Sequence, residues 1–199
     1  MVTIIRRVSL NYLLLNVLFF SCSDFTVEHN NLYAINALID QQSKYLTENG
    51  ARLTKISNLR NAGDTVVVVP KSSDEWKKEL EIFSMIDVIN KPANRNLYTV
   101  ENFPDNKSNL SVKAFITKED LPVSFLKCYY LETESKVRRI EAKYVESNTL
   151  YKSTRTLKME FQPVDDTFVL TSYEIYGDQK MFLSDSVKYS IRGTIALPN

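Results

Sequence analysis

The stretch S-V-K-Y-S-I-R-G-T-I-A-L at residues 186–197 alternates without a break. Val187, Tyr189, Ile191, Gly193, Ile195 and Leu197 interleave with Lys188, Ser190, Arg192, Thr194 and Ala196. A period of two sends these sets to opposite faces of one β-strand. The same period runs back through residues 97–103, 110–118, 123–132, 136–146, 151–162, 167–176 and 180–183. The breaks are turn formers: Pro104-Asp105-Asn106, Glu119-Asp120-Leu121-Pro122, Glu134-Ser135, Asn148, residues 163–166 and Gly177-Asp178. Connections this short join only antiparallel neighbours, because a parallel pair needs a crossover of a dozen or more residues. The expectation is an antiparallel meander of six to eight strands.

Upstream of residue 97 the period becomes helical. Leu32, Ile35, Leu38, Ile39, Tyr45 and Leu46 form an apolar stripe opposite Asp40, Gln41, Lys44 and Glu48, and Asn49-Gly50 supplies a left-handed stop. Residues 52–59 and 65–69 (T-V-V-V-V) flank Asn61-Ala62-Gly63-Asp64 and read as a hairpin with a glycine-containing turn. The four valines predict a strand covered on both faces, or partly by a neighbouring helix. Ser72-Ser73-Asp74-Glu75 is a capping box, and it opens a helix carrying Trp76, Leu80, Phe83 and Ile86 on one face, widened by Ile82 and Ile89. Asn90-Lys91-Pro92 stops that helix. The predicted fold class is α+β: two amphipathic helices and a hairpin packed on a large, curved antiparallel meander, with a half-barrel-like sheet.

The first residues follow another logic. Arg6 and Arg7 precede an apolar run, L-N-Y-L-L-L-N-V-L-F-F at residues 10–20, and no acid occurs before Asp24. That run is shorter than the ~20 residues of a membrane-spanning helix and suits an export signal. Two cleavages fit. In one, Cys22 becomes the acylated first residue of the mature chain. In the other, cleavage falls after Ser23 and no lipid is added. On the first reading, residues 1–21 are a lipoprotein signal peptide, 22–31 a tether and 32–199 a single domain. Acyl chains anchor strongly, since each buried methylene contributes about 0.8 kcal/mol. Loss of Arg6 and Arg7 leaves 23 basic against 24 acidic residues, with no polybasic patch to assist adhesion.

Composition excludes several chemistries. The 199 residues include one histidine and two cysteines, against the sets that zinc sites and disulfide scaffolds require. A net charge of +1 gives no footprint for nucleic acid. His29 lies in the tether, where nothing rigid orients it as a base. Cys128, between Lys127 and Tyr129, reads as a small buried hydrophobe, with Lys127 on the other face. The acids Asp105, Glu119, Asp120, Asp165, Asp166, Asp178 and Asp185 fall in turns, whereas glycoside hydrolysis needs a carboxylate pair on rigid walls. Arg138, Arg139 and Lys143 alternate faces of one strand, so they make no single patch. The tyrosines at 129, 144, 151, 173, 176 and 189 are expected at core edges with their hydroxyls in water. No phosphate loop, nucleophile elbow or calcium loop is present. No catalytic residue, cofactor or metal is therefore expected.

Taken together, Phe20-Ser21-Cys22, the capped helix with Trp76, the Asn90-Lys91-Pro92 stop and the long meander resemble the small uncharacterised lipoproteins of bacteroidete-type Gram-negative bacteria. The resemblance implies lipidation at Cys22 and attachment to the outer membrane, in the periplasmic leaflet or at the cell surface. It implies no known activity. The leading expectation is a lipid-anchored envelope protein with a non-catalytic binding or structural role. The second is a carrier that shelters an acyl chain or other apolar ligand in its curved sheet. A third, an envelope hydrolase, requires a cleft that gathers at least two of the turn acids.

Overall fold

A computed structural model of the chain describes residues 31–60, 62–165 and 167–198. Cys22 and His29 lie outside the described residues, as does Asp166. From Asn31 onward the chain forms one unit. In chain order it comprises helix α1 (Ile35–Glu48), strands β1 (Arg52–Leu59) and β2 (Ala62–Val68), helix α2 (Ser73–Ser84), a 3₁₀ helix (Met85–Asn90) and the short α3 (Pro92–Arg95). Seven strands follow: β3 (Thr99–Pro104), β4 (Ser111–Ile116), β5 (Val123–Tyr130), β6 (Val137–Ser147), β7 (Tyr151–Val164), β8 (Thr167–Met181) and β9 (Val187–Ala196).

All nine strands form one antiparallel sheet in the order β2-β1-β9-β8-β7-β6-β5-β4-β3. The mixed α+β class and the meander are as the period of two predicts. The hairpin differs: it lies within the sheet rather than packing on it. Lys55 sits opposite Gly193 and Leu53 opposite Ile195, so the last strand pairs with the first. The sheet is not closed, and β2 and β3 each keep a free edge.

Three local expectations are corrected. The glycine-containing turn is displaced, because Gly63 lies inside β2 and the chain reverses at Arg60, whose φ is +55°. The valines, expected to be covered, form the exposed edge; Val67 is 58 % accessible. The predicted break at Gly177-Asp178 is absent: residues 167–181 form one strand, β8, and Phe182 and Leu183, expected in a strand of their own, lie in the turn that follows it. A Cβ at Gly177 would lie 2.0 Å from the carbonyl oxygen of Thr154, so this glycine admits a close neighbouring backbone rather than a turn.

The helices close as their sequences require. Gly50 has φ +60° at the end of α1. Ser72 Oγ accepts from the Glu75 amide at 3.2 Å, while Glu75 reaches back to the Lys71 amide at 2.8 Å, one residue earlier than a capping box demands. The second helix tightens to three residues per turn at Met85. That period aligns Ile86 with Ile89, and both are buried. Pro92, expected as a stop, opens α3 at its first position, where its missing N–H costs nothing.

The core is one cluster between the helices and one sheet face. Ile35, Ile39 and Leu46 of α1 and Trp76, Leu80 and Phe83 of α2 meet Leu126, Ile140, Leu157, Met159 and Tyr173. Val112, Ala114 and Tyr129 form a smaller cluster of their own. Asn90, also buried, fastens the entering chain to the 3₁₀ helix. Its Oδ1 accepts from the Leu32 and Tyr33 amides at 2.8 and 3.3 Å, and its Nδ2 donates to the Tyr33 carbonyl at 2.8 Å.

Candidate functional site: a half-covered groove beside the second helix

The helices cover the middle of their sheet face and leave the β1-β9-β8-β7 side partly open. Register explains the composition of this uncovered strip. Tyr173, Gly193 and Lys55 occupy one cross-strand row. The next row carries Leu157, Ile175, Ile191 and Ser57. Beyond it lie Arg155, Gly177 and Tyr189. With Ile82 of α2 and Met85 forming a wall, these rows bound a groove of about 610 Å³. That volume falls within the roughly 300–1,000 Å³ range of small-molecule sites. Ile175 and Ile191 make the floor aliphatic between Tyr173 and Tyr189, Ile82 and Met85 form the wall, and Lys78 and Glu81 stand at the rim.

One end of the groove is a polar clasp. Tyr173 is 1 % accessible, and its hydroxyl donates to Glu79 Oε1 at 2.5 Å. Lys55 Nζ donates to both Glu79 oxygens at 2.8 Å. Burial first, and then the Glu79 carboxylate, raise the Tyr173 hydroxyl well above its ordinary value, so it stays protonated. The carboxylate accepts three charge-assisted or short bonds, which fixes it in place. The clasp ties α2 to β8 and β1. The tyrosine ring needs Gly193 beneath it, since a Cβ there would approach ring atoms at 2.3 Å.

Across the groove, Arg155 is held less tightly. Its Nη2 lies 3.6 Å from Glu146 Oε2, beyond good hydrogen-bond length, and its Nη1 donates to Met85 Sδ at 3.5 Å. The guanidinium stands 5.9 Å from the centre of the Tyr144 ring. Arginine offers five N–H donors in a planar fork suited to a carboxylate or phosphate. A cation whose donors are this weakly engaged, above an aliphatic floor, can receive the anionic end of an amphipathic molecule.

The residues singled out from sequence are not gathered here. Asp105 accepts from Ser108 Oγ at 2.7 Å in the β3–β4 turn and lies 3.8 Å from Arg139. Glu119 and Asp120 occupy the β4–β5 turn and Asp165 the β7–β8 turn, and Asp178 sits in β8 opposite Lys188. Among the described residues no group of three or more histidine, cysteine, aspartate or glutamate side chains is placed to hold a metal. Cys128 is buried, and desolvation pushes its thiol up to about 12. Arg138 donates to Gln162 Oε1 at 3.0 Å, whereas Arg139 lies 4.0 Å from the centre of the Tyr129 ring, so the two arginines serve different neighbours. Tyr173 departs from the expected edge position, with its hydroxyl on Glu79 rather than in water.

Sequence reasoning missed Lys55, Glu79 and Arg155. Glu79 left one signal: it falls between Trp76 and Phe83 on the apolar stripe of α2, where a carboxylate is out of place. Lys55 and Arg155 left none, because alternation assigns a face but not the strand-to-strand register that collects them. Compared with family models, curated proteins and solved structures, the chain matches none.

Proposed function

We propose that this protein is a lipid-anchored protein of the outer membrane, non-catalytic, whose binding site is the groove between α2 and the β7–β1 side of a curved, half-barrel-like sheet. Cys22 carries the lipid, and the described domain follows a short tether. Of the binding and structural roles, binding draws support from the groove. Of possible ligands, an acyl chain with an anionic head fits it best. The observation that carries this reading is the pairing of Arg155 with an aliphatic floor of Ile175 and Ile191 in one open groove of about 610 Å³. An apolar tail gains roughly 25 cal/mol per Å² of surface removed from water there. The head meets a cation whose nearest carboxylate is 3.6 Å away.

Two experiments test the two halves. Fatty-acid labelling of cells should mark the wild-type protein and leave Cys22→Ser unmarked; continued labelling of the variant would refute lipidation at Cys22. In a displacement assay, a fluorescent fatty acid should bind the full-length protein, and Arg155→Ala should weaken it about tenfold while changing binding of the matching alcohol by less than twofold. Equal affinities for acid and alcohol in the wild type would remove Arg155 from the site.

A further inference from the structure

The sheet carries a second specialised surface, at the end where β1 turns into β2, β6 into β7, and β8 into β9. Five large apolar side chains are exposed there: Leu59, Leu150, Met181, Phe182 and Leu183. Phe182 and Leu150 are each about two-thirds accessible (68 % and 67 %), and Leu183 is 89 % accessible with φ +61° at the apex of its turn. The turns form one platform. The Phe182 amide donates to the Leu150 carbonyl at 2.7 Å, and the Arg60 amide donates to the Lys188 carbonyl at 3.2 Å. At the opposite end, the connections read D-N-K-S-N-L at residues 105–110 and L-E-T-E-S-K at 131–136, and their two leucines, Leu110 and Leu131, are half-buried rather than exposed.

Charge separates the two ends as well. Arg60, Lys152, Lys180 and Lys188 ring the apolar platform, all exposed, and none forms an ion pair among the described residues. Lys152 stands directly opposite Lys180 in the β7–β8 register. Like charges placed this way repel unless an anion lies between or beyond them. The carboxylates nearest the tip are Asp178, opposite Lys188, and Asp185 in the β8–β9 turn; Glu146 faces Arg155, Asp64 accepts from the Thr65 amide at 2.8 Å, and Glu119 and Asp120 stand with Lys118 in the β4–β5 turn beyond β6. The excess of positive charge is therefore local to the β8–β9 tip, where Arg60, Lys152, Lys180 and Lys188 outnumber Asp178 and Asp185.

We propose that this end of the sheet docks on an anionic phospholipid surface, with Phe182 and Leu183 entering the headgroup boundary and Lys152, Lys180, Lys188 and Arg60 meeting lipid phosphates. Apolar side chains inside a basic collar match such a surface on both counts, burial and charge. The contact is independent of the lipid at Cys22 and of the groove's ligand. It also sets the side of the molecule that bears Arg155 and Tyr189 toward the bilayer.

The test uses the full chain with Cys22→Ser, so that one introduced cysteine is labelled while Cys128 stays buried. A polarity-sensitive fluorophore is placed at Leu183→Cys or, as a control, at Ser135→Cys in the opposite turn. Vesicles of phosphatidylglycerol and phosphatidylcholine should shift the probe at 183 to the blue and leave 135 unchanged. Pure phosphatidylcholine should shift 183 at least tenfold less at equal lipid. Reversing Lys152 and Lys180 to glutamate should weaken the anionic response about tenfold without moving the melting temperature. The proposal is overturned if 183 does not respond, if 135 responds equally, or if charge reversal has no effect. It is equally overturned if 183 shifts with protein concentration in the absence of lipid, an outcome that assigns the tip to a second copy of the chain.

Discussion

Tyr173, Glu79 and Gly193 show how single residues hold the groove. The ring lies over a position that only glycine leaves open, and its hydroxyl adds a third hydrogen bond to a largely buried carboxylate. Gly193→Ala should force the ring aside and cost about 1–3 kcal/mol, as overpacked core sites do. Tyr173→Phe keeps the packing and removes one bond to a charged group, at a cost of roughly 1.5–3 kcal/mol. Urea denaturation checks both values. Cys128 gives a pH prediction. Its thiol ionises near 9.0 ordinarily and near 12 when folded. Between those values the folded state holds a proton that the unfolded chain has lost, so stability falls as pH rises from about 9 toward 12. Cys128→Ala should flatten that part of the stability–pH curve. The burial of Cys128 was legible from its apolar neighbours in sequence. The clasp was not, since tyrosine and glycine meet only through the β8–β9 pairing.

At the scale of elements, periodicity located the strands well and misplaced two of their breaks. Gly63 and Gly177 have the chemistry of turn formers but sit inside strands; at 177 the reason is the Thr154 backbone alongside. Four valines look identical in a buried strand and at an edge, and only the pairing of β2 with β1 alone separates the two. Exposure then predicts tolerance: Val67→Thr should alter stability by less than about 0.5 kcal/mol. Asn90 predicts the opposite. Its sequence position beside Lys91-Pro92 signals a helix stop, yet it accepts from two amides of the entering chain. Asn90→Ala should cost about 1–3 kcal/mol, and hydrogen exchange at Leu32 and Tyr33 should accelerate. Unchanged protection at both amides would show that the chain is fastened by other contacts.

For the whole molecule, the first and last strands of the domain meet at β1–β9 and carry the sheet past the area the two helices cover. Trp76, Leu80 and Phe83 fill the centre, as a scaffold requires, and the uncovered flank keeps the groove, as a carrier requires. Trp76→Ala should cost about 3–5 kcal/mol and unfold the centre, whereas a bulky change at Ile191 should leave the fold and fill the groove. Native mass spectrometry of the full-length protein, extracted from its own envelope in mild detergent, tests binding most directly. Beyond the covalent lipid at Cys22, the wild type should carry one non-covalent acyl-chain adduct per chain, and Ile191→Trp, with an unchanged circular dichroism spectrum and melting temperature, should carry none. A wild type free of adduct, or an adduct that survives in Ile191→Trp, would contradict the assignment of the groove as the ligand site.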